Sequence, residues 1–572
     1  MGQGSAGHEK EIFTSTIHTQ HQALRNVFSR ASILIAVIAL CAFFAVFILV
    51  PVGSILVESL FYQGTVTVSK FQQVLKVTFL RDVIRNSLVL ASSVAIITTL
   101  VAFALAYSMS HVRVKGERFF QWVLMLPIVS PPFVIALAMM LLFGRNGLIT
   151  AGLLGIRTSA LYGLPGLVIA QTFALLPVSY MLILGALQSI DPSLEENAEN
   201  LGASPLKVFL TITVPMATPG LAASLLVIFV QSIADIGNPL LIGGDFHVLA
   251  ARVYFQLIGA YDKQGGAVLA VFLILPSLMA FLLQKLWVER RSYVSITGKT
   301  ARARVRSNDK RVVCASTALC GLVSFVILLF YGMVFVGAFS KLWGIDYSFT
   351  LNNYKHVFYR LGAKPLIDTL QLAGIATPIS GILGILVAYL LMRVKFVGQS
   401  ILEFIALLSL AVPGVVLGIG YAIFFNKPPF LLSGTAAILV MAFVVRTMPI
   451  GIRAGMAGLQ QIDVALEEAS ANLGANQFQT LKNVVLPLLR PAFFTGLLNS
   501  FVRSMTSVSA VVFLISAKWH LLTVSILAAV ELGQLGVAAA NASILIVITS
   551  GLVEFLKYAL SNLGRTSADL VM

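Results

Sequence analysis

Few side chains in this sequence are of types that do chemistry, and they stand in unusual places. Arg446 and Arg503 interrupt long apolar stretches. A guanidinium in such a setting faces protein or trapped water rather than hydrocarbon, so it is equipped to line a passage and hold an anion. Packing or snorkelling is the alternative role. Asp235 and Asn238 close another apolar stretch, beside Gly237 and Pro239. A broken helix there would place both along a passage, and a plain helix-ending turn would use the same residues. Two glutamate pairs, Glu195-Glu196 and Glu467-Glu468, open two short polar segments.

Catalytic sets are not found. The histidines are scattered, and His8-Glu9 does not continue to a second histidine at metalloprotease spacing. No Ser/His/Asp group or carboxylate pair assembles, so neither an enzyme nor a bound metal is expected. Cys41, Cys314 and Cys320 stand in apolar stretches without metal or redox spacing, and are expected to be small buried hydrophobes. Gly298-Lys299-Thr300 matches the tail of a phosphate-binding loop, but Tyr293 stands where that loop needs glycine. Nucleotide chemistry is therefore not expected of this chain, and no cofactor is assigned to it.

The elements that position these residues follow from composition. Hydrophobic residues make up 58% of the chain and charged residues 11%, against about 25% charged in soluble proteins. Such a surface is solvated by lipid. Twelve apolar runs are long enough to cross a bilayer: 32–57, 86–110, 119–143, 162–186, 217–238, 265–285, 312–339, 366–392, 401–425, 434–457, 493–516 and 537–559. Pro127, Pro131, Pro132 and Pro413 interrupt runs three and nine, and Pro177 and Pro449 interrupt runs four and ten. Kinks that shape packing, or carbonyls freed toward a cavity, are both expected there. The polar first thirty residues hold no short apolar core, so no cleavable signal is expected. Lys and Arg are biased toward the side holding both termini, which places the termini in the cytoplasm. Much of the net charge of +16 sits in 285–311, where it suits topology and anionic headgroups. With no nucleic-acid-reading motif, the bilayer is the expected partner for that charge. The reading divides the chain into a cytoplasmic segment 1–31, a first half 32–285, a basic connector 286–311 and a second half 312–572.

The two halves repeat each other. Leu187–Ser204 recurs as Leu459–Asn476 with eleven identities in eighteen positions, at a constant offset of 272. In each copy a proline, Pro215 or Pro487, follows the glycine by 13 residues. Earlier in each half Asn86-Ser-Leu aligns with Asp368-Thr-Leu, Ala106-Tyr with Ala388-Tyr, and Pro131 with Pro413, all at an offset of 282. Six crossings return the chain to its starting side, so the halves are parallel repeats about an axis along the membrane normal. Within the repeated segment, Asp191 is placed to cap a helix starting at Pro192, with Glu195 and Glu196 near its positive end. Leu194, Ala198 and Leu201 form one apolar stripe, and Gly202 fits a left-handed cap. Ser204-Pro205 starts a second short helix expected to end at Pro215. Asp463, Leu466, Glu467, Glu468, Leu473, Gly474, Asn476 and Pro487 repeat the plan. A surface docking the same partner twice explains the duplication better than two ordinary amphipathic loops.

The segment Glu196-Asn-Ala198-Glu-Asn-Leu201-Gly202-Ala203, and its copy Glu468-Ala-Ser-Ala-Asn-Leu473-Gly474-Ala475, resembles the EAA loop of importer-type ABC transporter permeases. Asn197 and Ser470 depart from the full Glu-Ala-Ala pattern. The fusion of two halves, the stretch Ala234–Gly244 and the stretch Met505–Leu514 resemble permeases of the ferric-iron type. The resemblance implies an all-α polytopic membrane protein of about twelve helices in two six-helix halves, with the MetI-like type I ABC importer permease fold. It also implies a bacterial inner-membrane location, two cytoplasmic ABC ATPase subunits that use ATP and Mg, and an extracytoplasmic substrate-binding protein. The repeated loops would be coupling helices seated in the ATPases. Ferric iron is the expected cargo, with a phosphonate or phosphorylated small anion as the alternative. A twelve-span secondary transporter is the competing class, but the loop His111–Arg118 lacks its basic motif and that class leaves the paired loops unexplained.

Overall fold

A computed structural model describes residues 34–62, 65–288, 305–360 and 363–568. The segment 1–31, His8-Glu9, the Gly298-Lys299-Thr300 motif with Tyr293, and most of the basic connector lie outside the described residues. Eleven described helices are long and apolar enough to cross a membrane, and a bent pair makes a twelfth crossing.

The first half runs α1 (Leu34–Leu60), α2 (Thr78–His111), α3 (Glu117–Met125), α4 (Val134–Phe143), α5 (Leu164–Gln188), α6 (Pro192–Asn200), α7 (Pro205–Ile233), α8 (Gly237–Ile242), α9 (Leu249–Tyr254) and α10 (Lys263–Trp287). The second runs α11 (Lys310–Ala338), α12 (Lys364–Arg393), α13 (Gln399–Ala411), α14 (Gly414–Phe424), α15 (Ala436–Gln460), α16 (Val464–Asn472), α17 (Leu481–Thr506), α18 (Leu522–Glu531) and α19 (Leu535–Ala568). A two-stranded hairpin follows the first helix of each half, Phe61–Tyr62 with Thr65–Val66 and Ser340–Leu342 with Asp346–Phe349.

Runs three and nine are broken rather than kinked. Proline has no N–H and drives the residue before it out of the helical region. Ser130 before Pro131 and Val412 before Pro413 are both extended. The break separates α3 from α4 and bends α13 against α14 by 105°. Pro177 and Pro449, in contrast, stay inside continuous helices. Pro215 does not end a helix as expected. A π turn, Phe209–Thr213, precedes it and absorbs the missing hydrogen bond, so one helix continues from Pro205 to Ile233. Leu481–Val485 does the same before Pro487.

Lipid offers no hydrophobic drive for helices to associate, so close approach of small residues and polar contacts must hold them. In the second half α12 and α15 touch at Gly384 and Gly451, where an added Cβ would lie 3.0 Å from backbone. Thr447 Oγ1 donates to Ser380 Oγ at 2.9 Å between the same helices. In the first half Ser179 and Ser224 hydroxyls meet at 2.6 Å between α5 and α7. The aligned Ser87 and Thr369 do matching work. Their hydroxyls accept the N–H groups of Leu249 (2.7 Å) and Leu522 (2.9 Å), which open α9 and α18.

Each half sends its first helix to the other. Tyr421 Oη of α14 donates to Phe47 O of α1 at 2.9 Å, and Gly420 packs on Pro51. In return Tyr331 of α11 bonds Ser130 at 2.5 Å, and Gly337 admits Leu141 of α4. Of the cysteines only Cys320 is buried. Cys41 and Cys314 are exposed on the faces of α1 and α11, a correction to the expectation of burial for all three.

Candidate functional site

Two elbows project between membrane helices. In the first, Asp191 caps α6 by accepting the Ser193 N–H at 3.0 Å, and this bond holds its carboxyl below the usual carboxylate range. Pro192 takes the first helical position, where its missing N–H costs nothing. The helix closes at Gly202, with φ of 86°, as Gly202 N bonds Glu199 O and Ala203 N bonds Ala198 O. The second elbow repeats this: Asp463 accepts the Ala465 N–H at 2.9 Å, and Gly474 also has φ of 86°. Asn476 and Gln479 then exchange side-chain and backbone bonds in a reciprocal cap.

The elbows expose their leucines. Leu201 is 88% and Leu473 90% exposed, and Leu194 and Leu466 are exposed beside them. Ala198, Ala203, Ala475 and Glu196 are half-buried, whereas Glu468, Gly202 and Gly474 are exposed. A lone exposed leucine means little. Two elbows presenting leucines at equivalent positions form a matched pair of apolar surfaces.

Glu195 and Glu467 turn the other way, into the protein. Glu195 is buried and accepts Thr213 Oγ1 at 2.7 Å. His111 Nε2, at the end of α2, stands 3.3 Å from it, while His111 Nδ1 meets Ser110 Oγ at 2.7 Å. Glu467 accepts Arg393 Nε at 2.6 Å, and the same guanidinium donates to Leu459 O and Ile462 O at 2.9 Å each. Arg393 thus ties the ends of α12 and α15 to the second elbow. Sequence reading missed His111 and Arg393, although they are 282 residues apart, the offset that aligns Ala106-Tyr with Ala388-Tyr.

The other predicted residues meet at one place. Arg446, Arg503 and Asp235 line two adjoining cavities of about 130 and 140 Å³ between the halves, and Asn238 lines the first. Asp235 and Asn238 sit at the break that ends run five and opens α8. The helix ends at Ile233, and α8 holds Asn238 wholly buried. Asp235 accepts Gln171 Nε2 at 2.8 Å, Asn238 Nδ2 at 2.6 Å and the Gly237 N–H at 3.0 Å. Arg446 donates to Ser409 O and Val412 O, the carbonyls freed by the Pro413 break. Arg503 keeps an exposed side chain, and no hydrogen bond or ion pair engages it among the described residues. Gln171 and the Ser409 and Val412 carbonyls were not foreseen, since nothing in spacing brings them to Arg446 or Asp235.

The cavity walls are equivalent in position and different in charge. At the offset of 272, Arg446 corresponds to Ala174, Arg503 to Gln231, Asp235 to Ser507 and Gln171 to Phe443. All eight line these cavities. The passage therefore lies on the axis relating the halves, with both guanidiniums on the second half's side. No cluster of metal-ligating side chains occurs among the described residues.

A duplicated bundle with paired elbows and a cavity on its axis is the build of a transport permease. The family of binding-protein-dependent transport system inner membrane components matches residues 99–293 and again 380–561, and this chain belongs to it as a fused two-half permease of an ABC importer. It is a multi-pass inner-membrane protein that works with ATPase and substrate-binding partners. It is 39% identical over 541 residues to a ferric transport system permease protein, FbpB, of Actinobacillus pleuropneumoniae, covering 92% of this chain and 78% of that one. A Haemophilus influenzae protein named ferric transport system permease protein FbpB 1 is 39% identical over 496 residues, 85% of this chain and 78% of its own. A more distant relative, named 2-aminoethylphosphonate transport system permease protein PhnV, of Salmonella paratyphi A, is 26% identical over 255 residues, 44% of this chain and 96% of its own.

Proposed function

We propose that this chain is the membrane passage of an ATP-driven importer of ferric iron. Likeness over 92% of the chain to a permease named for ferric transport carries the choice of cargo. Two ATPase subunits bind, one at each elbow, through Leu194, Leu201 and Gly202 and through Leu466, Leu473 and Gly474. Glu196, Ala198 and Ala203, with Glu468 and Ala475, shape the same two surfaces. Glu195 and Glu467 act differently, as anchors that pass elbow motion into α2 and α12. Both termini lie in the cytoplasm with the elbows. ATP and Mg belong to the partner subunits, and this chain holds no cofactor and hydrolyses nothing.

In this mechanism ATP draws the two ATPases together and the elbows with them. Because the Glu467–Arg393 contact joins the second elbow to the ends of α12 and α15, its displacement moves both helices rather than bending a loop. The halves rock about the cavity lined by Arg446, Arg503, Asp235 and Asn238, which is the translocation path. Cargo released by the extracytoplasmic binding protein enters, and hydrolysis resets the halves.

Reconstitution of the full chain with its ATPases and iron-loaded binding protein in proteoliposomes tests this reading. Ferric iron should stimulate ATP turnover and accumulate inside. Stimulation by 2-aminoethylphosphonate with its own binding protein, and none by ferric iron, would overturn the choice of cargo.

A further inference from the structure

The cavity between the halves carries the wrong charge for a bare metal cation. Arg503 is exposed within it and has no carboxylate or carbonyl partner among the described residues. Arg446 spends one nitrogen on Ser409 O and Val412 O and brings a second positive charge to the same walls. The one carboxylate, Asp235, has committed its oxygens to Gln171, Asn238 and the Gly237 N–H. Repulsion scales with the product of charges, so a trivalent ion is opposed three times as strongly as a monovalent one. A planar guanidinium is instead matched to the paired oxygens of a carboxylate or phosphate.

We propose that this cavity is an oxyanion seat, with Arg503 as its direct contact, and that ferric ion crosses it as a complex whose oxyanion ligand faces the second half. The oxyanion part rests on the cavity alone, and the ferric part rests on the proposed function. Arg446 acts both as support for the broken α13 and as the second positive charge. On the first half's wall the equivalent places hold the neutral Ala174 and Gln231, so no positive charge opposes the metal side of such a complex there. The asymmetry of the walls gives the complex one orientation, oxyanion toward Arg503 and metal toward the first half.

Inorganic phosphate is the probe. Equilibrium dialysis of labelled phosphate against the full chain in nanodiscs should show saturable binding, weakened tenfold or more by Arg503→Gln and partly kept by Arg503→Lys. Thermal melting of both variants is measured alongside, so that loss of fold is not read as loss of the seat. In proteoliposomes with the partner ATPases and iron-loaded binding protein, labelled phosphate and iron should enter at a fixed ratio. Absence of saturable binding, or equal binding by a folded Arg503→Gln protein, overturns the seat. Iron entry without phosphate, in a chain that does bind phosphate, overturns the joint crossing and leaves the ferric reading standing. Phosphate entry without iron supports the seat and overturns the ferric cargo.

Discussion

Arg393 Nε lies 2.6 Å from Glu467 Oε1, and the residues at the equivalent positions, His111 Nε2 and Glu195 Oε1, lie 3.3 Å apart. The same geometry is built with a permanent cation in one half and an imidazole in the other. In each half it joins the end of a long membrane helix to the elbow.

The Arg393 contact should be the stronger of the two. Both pairs are similarly shielded, but the guanidinium is always charged and also holds two carbonyls, and removing one side of a buried pair costs up to about 3–5 kcal/mol. Arg393→Ala should lower the melting temperature of the purified chain and reduce substrate-stimulated ATP turnover at least tenfold. His111→Ala should do less, because Glu195 keeps its bond from Thr213. Unchanged melting and coupling in Arg393→Ala would remove the anchor role.

The exposed leucines separate docking from folding. Leu201→Asp and Leu473→Asp alter side chains that pack on little within the chain, so stability should shift by no more than about 0.5 kcal/mol. Co-purification of the ATPases should be lost. Normal recovery of the ATPases with the double variant would show that they bind elsewhere.

Gly202 and Gly474 test the bend itself. Each has φ of 86°, and nothing lies within 4 Å of an added Cβ. Aspartate tolerates that conformation better than valine, whose strain is about 1–2 kcal/mol. Gly202→Asp and Gly474→Asp should therefore insert and fold yet import at least tenfold more slowly, while Gly474→Val should also melt earlier. Wild-type uptake by both aspartate variants would count against docking at the bend.

Ser87 and Thr369 cap short helices buried in the protein. Alanine at either position leaves the N–H of Leu249 or Leu522 without its acceptor, at a cost of about 1–3 kcal/mol. Hydrogen exchange at those two amides should speed up in the matching variant alone, and Ser87→Thr and Thr369→Ser should restore protection.

Much of this was legible in the order of residues. The membrane runs follow from apolar length, and the elbows from Asp caps, glycine bends and an offset repeated without drift. Less legible was what needs three dimensions. Pro131 and Pro413 were visible, but whether a proline kinks or severs a helix depends on what takes up the freed carbonyls, here Arg446 for Val412. Pro215 looked like a stop, and a π turn carries the helix through it. The glutamate pairs looked alike, although Glu195 and Glu467 turn inward while Glu468 stays exposed, a difference set by helical phase against α2 and α12. Arg446, Arg503, Asp235 and Asn238 were each notable alone, and their meeting at one cavity could not be read from separations of up to 268 residues.

Covalent tandem construction has an arithmetic consequence for the passage. Two identical chains would set every axis-facing side chain opposite its own twin, so charges there could come only in even numbers. Here Arg446 faces the place of Ala174, Arg503 that of Gln231 and Asp235 that of Ser507. One gene encoding both sides has escaped the parity rule, and its walls can carry an odd charge and a built-in direction that no homodimer could possess.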